Sequence, residues 1–406
     1  MIVPVPPYVQ ALARRLPAPL FLVGGYVRNV LLWGAPVGTD VDVCGPMTVD
    51  EVAAALDGVA EVIPVNPRVG TVLVRYEGAD LEYTTFRRDS YPIGGVHTPD
   101  KVVFVSTVDE DALRRDFRVN ALYANALTGE VIDVTGGLTD LENRVINTTR
   151  EAAEVFAEDG LRILRMVRFC AELGFAPHRD ALAVARAMRN QLDDITPERK
   201  REELDKILLA DVKYGVSDAP QKGADLLGAL GVWPHLFGQD ADRIRLGSYP
   251  PVLAVRLAAL CRQFGGEDSF TFAQTALGKL RYPNRTMDET CRLLQGEAVP
   301  QTESEWRLWA AEYERNADEI CALWQDEALR DKALRTREAL RVAQVPRTHK
   351  DLPLSPAEIE ALGVPKRELG RVMKRTVDYC VVNLLCPSAE ECVQIVRKIK
   401  GENKWN

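Results

Sequence analysis

The stretch that decides the fold is residues 21–43, FLVGGYVRNVLLWGAPVGTDVDV. Three apolar residues lead into a glycine pair, an amphipathic run follows, and the stretch ends in Asp-Val-Asp-Val. This order predicts a strand, a glycine turn, a helix over residues 26–33 and a second strand over residues 39–43. Because side chains alternate along a strand, Asp40 and Asp42 are expected to lie on one face.

The same stretch carries two features that indicate chemistry. Two neighbouring carboxylates repel each other unless a cation lies between them, and Mg²⁺ prefers such oxygen ligands. The glycine pair, Gly24 and Gly25, brings backbone N–H groups and a helix N-terminus close to the same place, which suits a phosphate. Alone, each feature is common in turns and solvated strand ends. Together, with Arg28 between them, they indicate metal-assisted chemistry on a nucleoside triphosphate, with Asp40 and Asp42 as catalytic metal ligands.

This stretch resembles motif A of the class II tRNA nucleotidyltransferases and bacterial poly(A) polymerases, a branch of the DNA polymerase β-like superfamily. The family pattern is LVGGxVRDxLLG followed by DxD, and this chain has Asn29 where the family usually has Asp. The resemblance implies an α+β fold, in which a small N-terminal nucleotidyltransferase sheet domain with helices precedes an all-helical neck, body and tail. It also implies two Mg²⁺ ions, CTP and ATP as substrates, and Gly24, Gly25 and Arg28 as the triphosphate-binding residues.

The composition is that of a globular protein with several domains: 406 residues, 46% hydrophobic and 27% charged, with a net charge of −8. The acidic balance confines any RNA contact to a local basic stripe. Eight cysteines without a Cys-x-x-Cys pair and four isolated histidines predict buried free thiols in a reducing cytoplasm and no structural zinc. No signal-like start and no apolar run of about 20 residues is present, so a cytoplasmic protein without a membrane partner is expected.

The region after the first motif alternates between β-rich segments and breaks. Further strands are predicted at residues 61–65, 71–76 and 81–86. In the last of these, Glu82 is either a third carboxylate facing Asp40 and Asp42 or an outward-facing strand residue. The resembled family has a similar E-x-T-T-F-R strand, which favours a supporting role. Residues 87–100, RRDSYPIGGVHTPD, are predicted to form an exposed loop; in the family, a flexible loop here helps the switch from C to A addition.

Residues 109–125, DEDALRRDFRVNALYAN, are predicted as one helix because acidic residues begin the segment and apolar residues follow at helical spacing. The string RRDFRVNA resembles the family's motif B, RRDFTxNA, with Arg118 in place of the usual Thr. The resemblance implies that Arg115, Asp116 and Asn120 bind the ribose and favour its 2′-OH. Aspartate accepts a hydrogen bond from a hydroxyl, and arginine donates to a hydroxyl or a phosphate. A salt-bridged helix face is the alternative.

Beyond residue 150 strand signals nearly vanish and helices predominate. The expected domains are a catalytic head (residues 1–145), a neck with the base-reading helix (146–210), a body (211–300) and a tail (301–406). From Val364 onward Lys and Arg exceed Asp and Glu by four, so this segment is the candidate for tRNA binding, with a solubilising helix pair as the alternative.

Residues 158–169, EDGLRILRMVRF, are predicted to form one helix that presents four charged side chains on one face as candidate base-recognition residues: Glu158, Asp159, Arg162 and Arg165. Cytosine and adenine both show an amino donor beside a ring-nitrogen acceptor, so Asp159 can accept from the first while Arg162, held by Glu158, donates to the second. Uracil and guanine present the opposite order. A surface helix with ion pairs is the alternative. The string resembles motif D of the family, EDxxR, followed by RFxxELGF at residues 168–175.

The resemblance implies template-independent addition of CCA to tRNA, with the tRNA acceptor end and elbow and nucleoside triphosphates as partners. Poly(A) addition, or addition of only CC or only A, is the nearest alternative, since the core motifs do not separate these activities. A non-catalytic RNA-binding descendant is an alternative of another class. Only three departures from the family pattern favour it: Asn29, Arg118, and Asn147, which replaces the usual Arg of an Ile-Arg pair. A nucleotide-binding regulator without RNA is a third.

Overall fold

The computed structural model describes residues 1–37, 40–90, 101–241 and 243–402. The chain forms two compact units: residues 1–247 with 276–282, and residues 248–275 with 283–406. The first contains the sheet and its helices, and the second consists of helices and their connections throughout its described residues. The predicted α+β fold class is therefore confirmed, whereas the division into head, neck, body and tail at the given boundaries remains a prediction.

The N-terminal part of the first unit is built on a sheet. Its elements are α1 (Pro7–Ala13), β1 (Phe21–Val23), α2 (Gly25–Trp33), β2 (Asp42–Gly45), α3 (Val49–Ala55), β3 (Glu61–Asn66), β4 (Thr71–Tyr76), β5 (Ala79–Thr85), β6 (Arg87–Ser90), β7 (Lys101–Phe104), α4 (Val108–Leu113), β8 (Leu122–Asn125), β9 (Val131–Asp133) and α5 (Gly137–Asn143).

Seven strands form one sheet in the order β3-β4-β5-β2-β1-β8-β9. Neighbouring strands are antiparallel except β2 and β5, which run parallel and bring Asp42 into register with Glu82. One side of the sheet is sealed by a buried cluster that includes Phe21, Phe86 and Tyr123. Cys44, two residues after Asp42 on β2, belongs to this cluster, so the cluster lies on the same face of the sheet as the Asp42 side chain.

Helices follow the sheet in the first unit, with one short parallel pair of strands. These elements are β10 (Val145–Ile146), α6 (Ala152–Glu158), α7 (Leu161–Leu173), β11 (Ala176–Pro177), α8 (Arg179–Ala187), α9 (Pro197–Leu208), α10 (Ala210–Tyr214), α11 (Ala219–Leu230) and α12 (Trp233–Phe237). Helix α7 is buried along most of its length because α9, α10 and α11 all pack against it. It is thus the central helix of this region.

The rest of the chain is helical. Its helices are α13 (Leu253–Gly265), α14 (Ser269–Lys279), α15 (Asn284–Gly296), α16 (Glu303–Glu312), α17 (Ala317–Trp324), α18 (Glu327–Val342), α19 (Pro356–Ala361), α20 (Leu369–Asn383) and α21 (Ala389–Glu402). Trp306, Trp309 and Trp324 pack against one another with ring centroids 5.0–6.0 Å apart. In the described part of the chain, every helix is too short or too polar to cross a membrane.

The predicted helix over residues 109–125 is wrong. Helix α4 ends at Leu113, Phe117 is extended and fully buried, and residues 122–125 form β8, an inner strand of the sheet next to the edge strand β9. Strand β8 pairs with both β1 and β9, so its apolar residues are buried by distant partners. Sheet pairing overrides the local helical spacing here.

Two other predicted segments differ in part from the observed elements. The described strand β2 begins at Asp42, so Asp40 precedes the strand instead of lying within it. Residues 87–90 are not loop: they form β6, which pairs with β7 as a separate antiparallel ribbon. The remainder of the predicted loop, residues 91–100, lies outside the described residues.

Candidate active site

The glycine turn between β1 and α2 has the expected form. Gly24 has φ of +69°, a conformation that side chains disfavour, and its carbonyl accepts the N–H of Arg28 at 3.1 Å to begin the helix. Gly25 is then the first residue of α2. The turn therefore places both glycines at the N-terminus of a nine-residue helix, as a phosphate-binding site requires.

Arg28 is only 2% exposed and all of its nitrogen groups are engaged. Its Nε donates to Asn29 Oδ1 at 3.0 Å, its Nη2 to Tyr214 Oη at 3.0 Å, and its Nη1 to Asn120 Oδ1. Burial lowers the pKa of Arg28, and nearby Tyr214 and Glu172 counteract this only in part. Arg28 is thus a buried cation whose hydrogen-bond acceptors are all neutral, so its charge is not neutralised by a bonded carboxylate.

Asn29, the departure from the family pattern, lies fully buried in the same network. Its Nδ2 donates to the Val37 carbonyl at 2.7 Å and to Tyr214 Oη at 3.2 Å. An aspartate carboxylate at this position would have no hydrogen to donate to Val37. The amide therefore ties α2 to the segment that leads toward Asp40, which gives the substitution a structural role.

The predicted carboxylates meet on the exposed face of two neighbouring strands. Asp42 and Glu82 are directly opposite each other and exposed, while the next residues, Val43 and Tyr83, are buried. Asp40 is also exposed, two positions before Asp42. The parallel pairing of β2 with β5 thus brings Glu82 beside the Asp-x-Asp sequence.

The pKa of Asp42 is raised to about 6. Partial desolvation is the largest cause, repulsion from Glu82 and Asp40 adds to it, and the charges of Arg115 and Lys213 oppose it. Within the described ranges, no three His, Cys, Asp or Glu side chains already converge on one ion. Because Mg²⁺ is usually held by one or two carboxylates together with substrate phosphates, these oxygens fit an open magnesium site that a nucleotide completes.

Asp111 is a central residue of the site that the sequence reasoning missed. Its side chain is completely buried and accepts hydrogen bonds from Arg114 Nε at 2.7 Å, Arg115 Nη2 at 3.1 Å, Tyr123 Oη at 2.7 Å and the backbone N–H of Arg87 at 3.1 Å. Burial alone would raise the pKa of Asp111, but Arg115, Arg114 and the hydrogen bonds outweigh it and hold the pKa at about 2. The spacing of three and four residues from Asp111 to the arginines was the available signal.

The three residues predicted to bind ribose have different surroundings. Arg115 is held by Asp111 and Tyr123, with its guanidinium carbon 5.1 Å from the Tyr123 ring centroid. Asp116 is buried and accepts from Arg165 Nε at 2.7 Å. Burial opposes ionisation of Asp116, but Arg165 lowers its pKa below the usual value. Asn120, as described above, accepts from Arg28, so the turn after α4 connects the sheet, α2 and α7.

The predicted single helix over residues 158–169 is wrong, because α6 ends at Glu158 and α7 begins at Leu161. Asp159 is extended, with φ of −149° and ψ of 104°, and its Oδ1 accepts the N–H of Leu161 at 3.0 Å. Gly160 lies so close to Gln191 that an added Cβ would come within 2.8 Å of it. This long-range contact requires glycine at position 160, while the extended backbone of Asp159 interrupts the helix at the motif.

The charged residues of this motif are held from several sides. Glu158 accepts from Arg162 Nη1 at 2.7 Å, so the expected contact between them is present. Arg162 Nη2 also donates to the Arg114 carbonyl at 3.1 Å, which links α7 to the turn after α4. Asp159 Oδ2 accepts from Arg199 Nη2 at 2.6 Å, a partner that the motif alone did not predict.

A cluster of guanidinium groups surrounds Phe169 on α7. The guanidinium carbons of Arg28 and Arg165 each lie 5.5 Å from the ring centroid, and that of Arg168 lies 4.3 Å from it. Arg168 was missed by the sequence reasoning; it is buried and donates to Glu203 Oε1 at 3.0 Å. The cluster concentrates positive charge between α2 and α7, where an anionic ligand would be stabilised.

This combination of a glycine turn, a carboxylate face and a helical region that contacts it defines a nucleotidyltransferase. Residues 20–147 match the family described as "Poly A polymerase head domain", and residues 174–239 match "Probable RNA and SrmB-binding site of polymerase A". The CCA-adding enzyme of Geobacillus thermodenitrificans is 34% identical over 313 residues, which cover 74% of this chain and 73% of that protein. The chain therefore belongs to the family of CCA-adding enzymes.

Solved structures agree with this assignment. The crystal structure of the Bacillus stearothermophilus CCA-adding enzyme in complex with CTP is 26% identical, has a TM-score of 0.79, and the match covers 98% of each chain. The Thermotoga maritima CCA-adding enzyme complexed with tRNA has a TM-score of 0.66 at 16% identity, with 96% of this chain and 94% of that chain covered. The second likeness concerns the fold alone.

Proposed function

We propose that this protein adds CCA to the 3′ end of tRNA without a nucleic-acid template, using CTP and ATP and releasing pyrophosphate at each step. The observation that carries the proposal is the guanidinium cluster around Phe169. It joins Arg28, beside the glycine turn, to α7, the helix that follows Asp159 and contains Arg162. One nucleotide can thus have its triphosphate at α2 and its base at the start of α7.

Asp40 and Asp42 would hold two Mg²⁺ ions, with Glu82 in support. The fit rests on three facts: all the donors are hard oxygens, they face solvent, and Asp42 has a pKa raised to about 6 by partial desolvation and by its like-charged neighbours. A divalent cation removes that repulsion. When bound, Mg²⁺ lowers the pKa of the RNA 3′-hydroxyl and stabilises negative charge on the α-phosphate.

The remaining roles follow from the surroundings of each group. Gly24 and Gly25 would bind the triphosphate through backbone N–H groups, and Arg28 would stabilise its charge. Arg115 would contact the ribose from the sheet side, where Asp111 and Tyr123 fix its guanidinium. On the neck side, Asp116 and Asn120 would complete the ribose site, Asp116 through its fixed contact with Arg165.

For base recognition, Asp159 accepts from the amino group of cytosine or adenine and Arg162 donates to the ring nitrogen. Glu158 and the Arg114 carbonyl hold Arg162, and Arg199 holds Asp159. Because the donor and acceptor are fixed, uracil and guanine would place a donor opposite the Arg162 donor and an acceptor opposite the Asp159 acceptor. These two bases would therefore be rejected. The remaining parts of the proposal are tRNA binding by the tail, residues 301–406, in which Lys and Arg outnumber Asp and Glu from Val364 onward, and a cytoplasmic location.

The experiment is single-nucleotide extension of a tRNA transcript that ends at its discriminator base, with Mg²⁺ and CTP alone, ATP alone, both, UTP or GTP. Two additions with CTP and a third only with ATP support the proposal. If CTP gives two additions that ATP never extends, the protein is a CC-adding enzyme. If A is added only when the transcript already ends in CC, it is an A-adding enzyme. A long ladder of products with ATP alone indicates a poly(A) polymerase. Asp42→Ala is the inactive control. Absence of extension by a wild-type protein that binds tRNA would contradict catalysis and favour the RNA-binding descendant.

A further inference from the structure

The short helix α10 contributes a tyrosine to the active site that belongs to none of the motifs above. The hydroxyl oxygen of Tyr214 accepts from Arg28 Nη2 at 3.0 Å and from Asn29 Nδ2 at 3.2 Å. Its ring packs on Trp33, at the other end of α2, with centroids 4.8 Å apart. Tyr214 thus fixes both the helix that follows the glycine turn and the guanidinium of Arg28.

The preceding residue, Lys213, brings a second positive charge to this place. Its side chain is exposed, and its Nζ lies 5.3 Å from the centroid of the Tyr214 ring, a favourable position for a cation. It makes no ion pair with any residue in the described part of the chain. Its charge partly offsets the burial-driven rise in the pKa of both Asp42 and Glu172, so Lys213 lies near the carboxylate face as well as near Arg28.

Arg28 and Lys213 therefore both lie beside the Tyr214 ring, 5.9 and 5.3 Å from its centroid, and neither has a carboxylate bonded to it among the described residues. Two neighbouring cations repel each other until an anion lies between them. The acidic face that would hold Mg²⁺ is adjacent, so the anion that fits is the part of a nucleotide that extends beyond the α-phosphate. Lysine is well suited to bind phosphate as a mobile point charge.

We propose that Lys213 binds the β- and γ-phosphates of the incoming nucleotide, and that Tyr214 is the positioning residue that holds Arg28 toward the same phosphates. The inference rests on the proposed function, because it assumes that this site takes a nucleoside triphosphate. It adds a contribution from α10 to a triphosphate site that the sequence assigned to α2 alone.

The test measures equilibrium binding of CTP, UTP, CMP, inorganic tripolyphosphate and tRNA to the full-length protein with Mg²⁺, for the wild type and five variants. Lys213→Met removes the charge and Lys213→Arg retains it, while Lys222→Met is the control for loss of an exposed lysine. Tyr214→Phe removes only the hydroxyl. Tyr282→Phe is its control, because it removes a hydroxyl that bonds Asp205 elsewhere in the same unit.

Lys213→Met is expected to weaken CTP and tripolyphosphate binding about tenfold and CMP binding less than twofold, with recovery in Lys213→Arg. Tyr214→Phe should weaken CTP binding about three- to fivefold, with no change in the preference for CTP over UTP, and both controls should bind as the wild type does. Three results for Lys213→Met would overturn the inference while leaving the proposed function intact. They are unchanged CTP binding, equal losses of CTP and CMP binding, and a loss confined to tRNA binding. A wild type that does not bind CTP overturns the proposed function together with the inference.

Discussion

Replacement of Asp111 by asparagine tests the buried network beneath the active site. The amide keeps the size of the side chain but removes its charge, so Arg114 and Arg115 lose their shared carboxylate and the Nδ2 group faces other donors. Hydrogen bonds to charged groups contribute about 1.5–3 kcal/mol each, and removing one partner of a buried ion pair costs about 3–5 kcal/mol. Independently, the fall of the Asp111 pKa from 3.8 to about 2 corresponds to about 2 kcal/mol at neutral pH. We expect Asp111→Asn to lower the free energy of unfolding by about 3 kcal/mol.

The pH dependence of this difference has a defined sign. Because folding lowers the pKa of Asp111, its stabilisation is fully present above the unfolded value of 3.8 and is lost as the pH falls toward about 2. Asparagine does not titrate, so the difference in the free energy of unfolding between wild type and variant should become smaller as the pH falls from about 5 to about 2. Other carboxylates titrate in both proteins and largely cancel in the difference.

The assay is urea denaturation of the full-length proteins, followed by circular dichroism at several pH values. Asp109→Asn is the matched control, because Asp109 lies exposed in the first turn of the same helix and should cost less than about 1 kcal/mol. A difference in the free energy of unfolding below about 1 kcal/mol at neutral pH would refute the account of Asp111 as the residue that holds both arginines. A difference that does not change with pH would refute it as well.

Four further outcomes are expected. Asp42→Ala should abolish transfer and leave tRNA binding intact in a gel-shift assay; near-normal transfer would remove the metal assignment. Glu82→Gln removes a like charge, so the pKa of Asp42 in the metal-free protein should fall from about 6 in an NMR titration; an unchanged pKa would contradict this coupling. Arg162→Ala should raise incorporation of U and G relative to C and A in the extension assay, and unchanged selectivity would exclude base reading by this residue. Asn29→Asp loses the donor to the Val37 carbonyl and should destabilise the protein by about 1 kcal/mol in thermal unfolding; equal stability would show that this bond is dispensable.

The first motif could be predicted well because its structure is local. A glycine turn, a helix and a strand follow each other within 25 residues, and the positive φ of Gly24 explains why glycine begins the turn. Strands β4 and β5 were likewise recognised from short β-rich segments between breaks. These elements need no distant partner to explain their pattern.

What the sequence did not reveal depends on contacts between distant residues. Residues 122–125 have helical apolar spacing but form a strand because β1, about 100 residues earlier, pairs with them. The break between α6 and α7 lies at the extended Asp159, which accepts from Arg199, 40 positions later, and the bond from Asn29 to Tyr214 joins residues 185 positions apart. Local periodicity carries no information about such partners.

These long-range contacts also explain how an acidic protein can bind a polyanionic substrate. The net charge is −8, yet Arg28 on α2 and Arg165 and Arg168 on α7 gather around one aromatic ring. Arg165 and Arg168 are partly neutralised by Asp116 and Glu203, whereas Arg28 bonds only neutral groups. Of the three arginines, Arg28 is therefore the one whose charge is least compensated before the nucleotide binds. Because neutral acceptors hold it in place, a triphosphate gains its full attraction without first breaking an ion pair, and Arg28 should contribute more to nucleotide affinity than either arginine of α7.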